Sequence, residues 1–182
     1  MALEFTNSYV EDARSLFRMY KRLGDGALEQ VSDDQLFATL DAEANSIAIV
    51  VKHMAGNMRS RFTDFLTTDG EKPDRNRDRE FVDPAENRSA LLADWESGWR
   101  CVFAAIDALT EADMVRTVTI RGERHSVMQA IHRQIAHYAY HVGQIVLLAK
   151  HSAGKKWSSL SVPRNRSAEF NLNVAAGKAS QR

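Results

Sequence analysis

The sequence predicts an all-α protein, with a four-helix bundle as the leading architecture. Four long segments repeat apolar residues at helical spacing. Only three prolines and nine glycines interrupt the 182 residues. The 44% hydrophobic and 26% charged content is that of a globular chain long enough to bury a real core. Amphipathic helices must bury their apolar stripes against one another, and four of them do so as a bundle. We read residues 1–171 as one domain and 172–182 as a flexible C-terminal tail, with no internal repeat.

The first helix is expected over about 4–24, on Phe5, Tyr9, Ala13, Leu16, Phe17, Tyr20 and Leu23, closed by Gly24 and Gly26. A polar connection follows, with a short helical turn after Ser32. Ser46 reads as the N-cap of the second helix, whose face is Ile47, Val50, Val51, Met54, Met58, Phe62 and Phe65. The stretch TTDGEKPDRNRDREFVD then carries five acids and four bases between Asp69 and Glu80, which predicts a mixed-sign solvated loop. Its length allows it to cross a bundle end, so the helices it joins need not be antiparallel neighbours.

Asp83-Pro84 reads as the start of the third helix, with proline at its first position. Leu91, Leu92, Trp95, Trp99, Val102, Ile106 and Leu109 form its stripe. VTIRGERHS alternates around Arg121-Gly122, which predicts a short hairpin or extended loop. Ser126 caps the last long helix, which runs to about Lys150. The remainder, with Pro163, is expected to be irregular and to drape over the bundle.

Charge and composition restrict the function. The formal net charge is zero, yet the segment from Lys150 onward is +6 and residues 1–149 are −6. A basic end either holds an anion or is simply solvated; it lacks the aromatic interleaving of a single-strand nucleic-acid binder. Nucleic acid is therefore not an expected partner. No apolar run approaches the roughly 20 residues of a membrane span, and the first residues do not read as a signal peptide, so no membrane partner is expected. The one cysteine, Cys101, rules out an internal disulfide and fits a cytoplasmic protein.

The chemistry lies in HYAYHVGQI, residues 137–145. His137 and His141 are four apart, hence one turn apart on the same helix face. At about 100° per residue they share a strip with Ala130, Gln134, Gln144 and Leu148, bordering the core stripe of Val127, Ile131, Ile135, Tyr138, Val142 and Ile145. His53 occupies a similar border on the second helix. Bundles build metal sites from facing helices, and three nitrogens with open positions is the pattern of a catalytic zinc site. Imidazole favours zinc, nickel, copper or iron over magnesium or calcium. The competing reading is of hydrogen-bonded packing histidines, and spacing alone does not decide whether the two helices face each other. No glutamate follows the first histidine, so this is not the metalloprotease His-Glu-x-x-His, and no catalytic acid or base is assigned. His132 points elsewhere on the helix, His125 belongs to the hairpin, and His151 sits at the helix end.

Other side chains carry two readings each. Asn57 either orients a ligand at the metal or bonds between helices. Gln134 and Gln144 either accept an imidazole N–H or are solvated. Tyr138 faces the core and Tyr140 does not. Cys101 reads as a packed thiol rather than a nucleophile. Arg75, Arg77 and Arg79 either clamp a carboxylate or phosphate or belong to a solvated loop.

Three stretches, SIAIVVKHMAGNMRSRFTDFL, DGEKPDRNRDREF and RQIAHYAYHVGQIVLLAK, resemble the DinB/YfiT-like superfamily, and within it a bacterial branch of unknown function. The resemblance runs from about residue 4 to the WSSLSVPRNRSAEFN segment at 157–171. It implies an up-down-down-up topology and a homodimer. It also implies one zinc or nickel ion on His53, His137 and His141, all present at the matching positions. Better-known relatives transfer a low-molecular-weight thiol to an electrophile, and others are regarded as metal-dependent hydrolases. The expectation is thus a metal-dependent thiol transferase acting on a small-molecule substrate. Hydrolysis by metal-activated water and non-enzymatic metal or ligand binding are the alternatives.

Overall fold

A computed structural model describes residues 5–82 and 87–179. They are mostly helical, with one two-stranded sheet. Four long helices, α1 (Phe5–Leu28), α3 (Ile47–Phe62), α5 (Arg88–Asp107) and α6 (Val127–Ala153), are joined by shorter elements. These are α2 (Asp33–Phe37), α4 (Arg77–Glu80) and the strands β1 (Thr117–Ile120) and β2 (Glu123–Ser126). A last helix, α7 (Ser167–Ala175), follows α6.

Helix starts follow the sequence signals. Ser32, Ser46 and Ser126 each accept a backbone N–H of the first turn of α2, α3 and α6, and Gln35 and Gln129 close capping boxes at α2 and α6. Asn87 caps α5. The expected start at Asp83-Pro84 lies outside the described residues. In the hairpin, Arg121 (φ 56°) and Gly122 (φ 77°) both take positive φ, the pair of conformations that a two-residue type I′ turn requires.

Side-chain pairs fix how the long helices run. Tyr9 donates to the Met128 carbonyl (3.1 Å) and Phe17 packs on Tyr138, so α1 and α6 are parallel. Arg14–Asp107 and Lys21–Glu96 make α1 and α5 antiparallel. Met58 and Ala55 lie against Gly98, and Thr63 lies against Cys101, so α3 and α5 run the same way. His53 opposite His137 and Asn57 opposite Tyr138 bring α3 against α6. Phe17, Phe62, Trp99 and Tyr138 meet edge-on or tilted at the centre of one core, each 3% exposed or less.

Three sequence expectations are corrected. Helix α1 does not stop at Gly24 and Gly26 but runs through both to Leu28. A Cβ on Gly24 would stand 2.7 Å from Trp95 Cζ2, and one on Gly26 would stand 2.7 Å from Leu160 Cδ2. These glycines admit close neighbours rather than end a helix.

The charged stretch after α3 is only in part the solvated loop expected: Thr67, Thr68, Pro73, Asp74 and residues 76–79 are exposed. It turns inward, forms α4, and buries Glu80 to 7% exposure. Gly70 N donates to the Thr119 carbonyl, and the Asp69 carboxylate accepts the Arg121 and Gly122 amides, both at 2.8 Å. Those amide bonds, with the Glu71 amide foremost, hold the Asp69 carboxyl down to about 2. The segment is thereby clipped to the hairpin.

The C-terminal stretch does drape over the molecule, Ser158 exchanging bonds with the Gln30 side chain. It is not irregular throughout, because α7 forms and carries the boundary placed at residue 172 inside a helix. Among the described residues no helix is long and apolar enough to cross a membrane.

Candidate metal centre

His53 and the His137/His141 pair meet where α3 faces α6. Their ligating nitrogens lie within 4.8 Å of one another. His137 Nε2 stands 3.0 Å from His141 Nε2 and 3.3 Å from His53 Nε2. Two nitrogens at the usual 2.0–2.1 Å from one tetrahedral zinc stand roughly 3.3 Å apart, so the spacing fits a shared ion.

The outward nitrogens explain why the inward ones converge. His53 Nδ1 donates to Glu80 Oε2 at 2.9 Å, and His141 Nδ1 donates to Gln144 Oε1 at 2.8 Å. Both rings are then the tautomer with an unprotonated Nε2, and both lone pairs face His137. Such outward bonds orient ligating histidines and raise their basicity. A single proton can bridge one pair of these nitrogens, whereas a divalent ion satisfies all three. This donor set is one that could hold a metal ion.

Glu80 is itself held. Arg75 Nε donates to its Oε1 and Arg75 Nη2 to its Oε2, both at 2.8 Å, a two-point fork. Burial alone would raise the Glu80 carboxyl, but the bonds from His53 and Arg75 outweigh it and leave the group below the usual carboxylate range. Gly56, one turn beyond His53, makes the room: a Cβ there would overlap Glu80 Oε1 and stand 2.9 Å from its Cδ. Burial, then the neighbouring His141 and His53, then Arg133 and Arg61, push His137 down to about 3. Burial lowers His141 as well. Neutral imidazole is the form that ligates metals.

A family model described as a protein of unknown function (DUF1572) matches residues 4–166. The chain belongs to DUF1572. The match spans the four long helices and all three histidines of this DUF1572 chain. No curated protein and no solved structure matches it.

In this DUF1572 member the histidines open on a cavity of about 670 Å³, within the range of small-molecule sites. Asn57 and Gln134 line it, and Asn57 accepts the Tyr138 hydroxyl at 3.1 Å, the interhelical bond of its second reading. Tyr138 is core and Tyr140 lies exposed on the rim, as their spacing predicts. Cys101 is half-buried beside Thr63 and does not line the cavity. Arg77 lines it, Arg75 is buried on Glu80, and Arg79 lines a different cleft. His132 and His151 are exposed, and His125 lies in β2. Sequence reasoning missed Glu80, Gly56 and Arg61. Glu80 carried no signal of its own, because it sits in a segment whose dense mixed charge reads as solvated.

Proposed function

We propose that this DUF1572 chain is a DinB/YfiT-like metalloprotein that holds one divalent ion, zinc or nickel, on His53, His137 and His141. The reading goes on to a metal-dependent transferase that joins a small thiol to an electrophilic small molecule. One observation carries it: three Nε2 lone pairs converge while the opposite nitrogens of His53 and His141 are committed to Glu80 and Gln144. The helix directions, with α1 parallel to α6 and α5 antiparallel to α1, support an up-down-down-up four-helix bundle over residues 1–171. Cytoplasmic location, a homodimer, and neither nucleic-acid nor membrane partners belong to the same reading.

When bound, a divalent ion supplies the charge that lowers the pKa of a nearby thiol or water. The chain does the rest. Glu80 and Gln144 fix the two rings, Phe81 packs on His53 with ring centres 4.5 Å apart, and Arg75 holds Glu80 in its charged form. The nucleophile comes from outside the chain, because Cys101 is not at the cavity and no carboxylate lines it among the described residues. The same ion would acidify water as well as a thiol, so hydrolysis by metal-activated water is the rival reading.

The test incubates zinc- or nickel-loaded, untagged protein with monochlorobimane, with and without bacillithiol, mycothiol, glutathione or cysteine. In parallel it screens esters, amides and lactones. Turnover that needs a thiol and is lost in His141→Ala is the expected result. Thiol-independent hydrolysis with the same dependence on His141 would overturn transfer in favour of a hydrolase, and no turnover with metal bound would favour a binding protein.

A further inference from the structure

Five arginines, Arg61, Arg75, Arg77, Arg121 and Arg133, line the cavity beside the histidines, and among the described residues no Asp or Glu does. Two carboxylates oppose these five guanidinium groups from behind. Glu80 takes Arg75, and Glu71 is shared by Arg61, Arg75 and Arg121. Arg77 and Arg133 form no ion pair among the described residues. Arg77 is carried over the Phe81 ring, 4.8 Å from its centre, and that ring packs on His53. Arg133 lies one turn before His137 on α6. At the back, Arg61 is 5% exposed with Nε unpartnered, and Gln134 is 2% exposed with Oε1 unpartnered. A buried donor left without a partner is costly, and an anion's oxygen is what would complete Arg61 Nε; the Gln134 oxygen is itself an acceptor and adds nothing toward an anion.

We propose that this cavity is an anion-binding subsite. Its ligand is a small molecule bearing a carboxylate or phosphate, held chiefly by Arg77 and Arg133, whose planar forks match those groups. The identity of that molecule as a reactant rests on the metal-site reading; the anion site itself does not. Among low-molecular-weight thiols the cavity selects those carrying free carboxylates over uncharged ones.

Calorimetric titration tests this at low ionic strength, using succinate, inorganic phosphate and the neutral succinamide, on metal-free and zinc-loaded protein. Succinate or phosphate binds both forms and succinamide binds neither. Arg77→Gln and Arg133→Gln each weaken the anion by about tenfold or more, the scale of a lost charge-assisted bond, while Arg79→Gln, outside the cavity, leaves it unchanged. Equal affinity for succinate and succinamide overturns the proposal. So does wild-type affinity in both arginine variants, or phosphate binding confined to the zinc form and indifferent to them. Zinc binding without anion binding refutes only the subsite, and anion binding without zinc binding refutes only the metal centre.

Discussion

Glu80 makes the sharpest claim at the scale of single residues, because it touches no candidate ion yet orients His53. Removing such a partner lowers metal affinity about 10–100-fold. Glu80→Gln should show that loss by competitive chelator titration with all three histidines in place. Affinity equal to the wild type would mean the His53–Glu80 bond does not serve the site. Gly56→Ala should do the same indirectly, since its Cβ would occupy the space of Glu80 Oε1. Protons should act on the same residues. His137 sits near 3 in the folded, metal-free chain against about 6.5 unfolded. Between those values the unfolded chain binds the extra proton, so stability is complete above about pH 6.5 and declines as pH falls toward 3. Glu80, also depressed, adds loss in the acid carboxylate range. The urea midpoint of metal-free protein should be lower at pH 5 than at pH 8, and an unchanged midpoint would contradict the burial of a neutral His137. The histidines and Gln144 were legible in sequence because helix periodicity fixes which residues share a face. Glu80 was not, because no period governs a loop and dense mixed charge reads as solvated until its partners are known.

At the scale of elements, packing outranks propensity at the α1–α5 contact. Gly24→Ala would gain roughly 1 kcal/mol of helix propensity. Its Cβ would meet the buried Trp95 ring at 2.7 Å, and overpacking of that kind costs about 1–3 kcal/mol. Denaturant unfolding should therefore show a net loss, and a stabilised variant would mean that α1 and α5 stand further apart. Glycine as a stop and glycine as a close contact look identical in one sequence, which is why the end of α1 was misread. The caps were legible because each needs only a local bond. Ser126→Ala should cost about 1 kcal/mol through the lost bond to the Gln129 amide. Helix α7 escaped notice because nine residues with no buried face carry little amphipathic signal.

For the whole molecule, the claim is that the helices hold themselves and the ion adds function. The core contains Trp95, Trp99, Tyr138 and Phe17, each 1% exposed or less, and each such side chain contributes on the order of 1.5–3 kcal/mol by burial. Stripping the metal should lower the melting temperature, by mass action, and leave the far-ultraviolet helical signal at 25 °C intact. Loss of most helicity would instead make the ion structural, as in a zinc finger. The most direct measurement is elemental analysis of protein purified without a polyhistidine tag, alongside His53→Ala and His137→Ala. The expected result is about one zinc or nickel ion per chain in the wild type and little in either variant; full occupancy in both variants, or an empty wild type after incubation with zinc and nickel, would contradict a three-histidine metal centre.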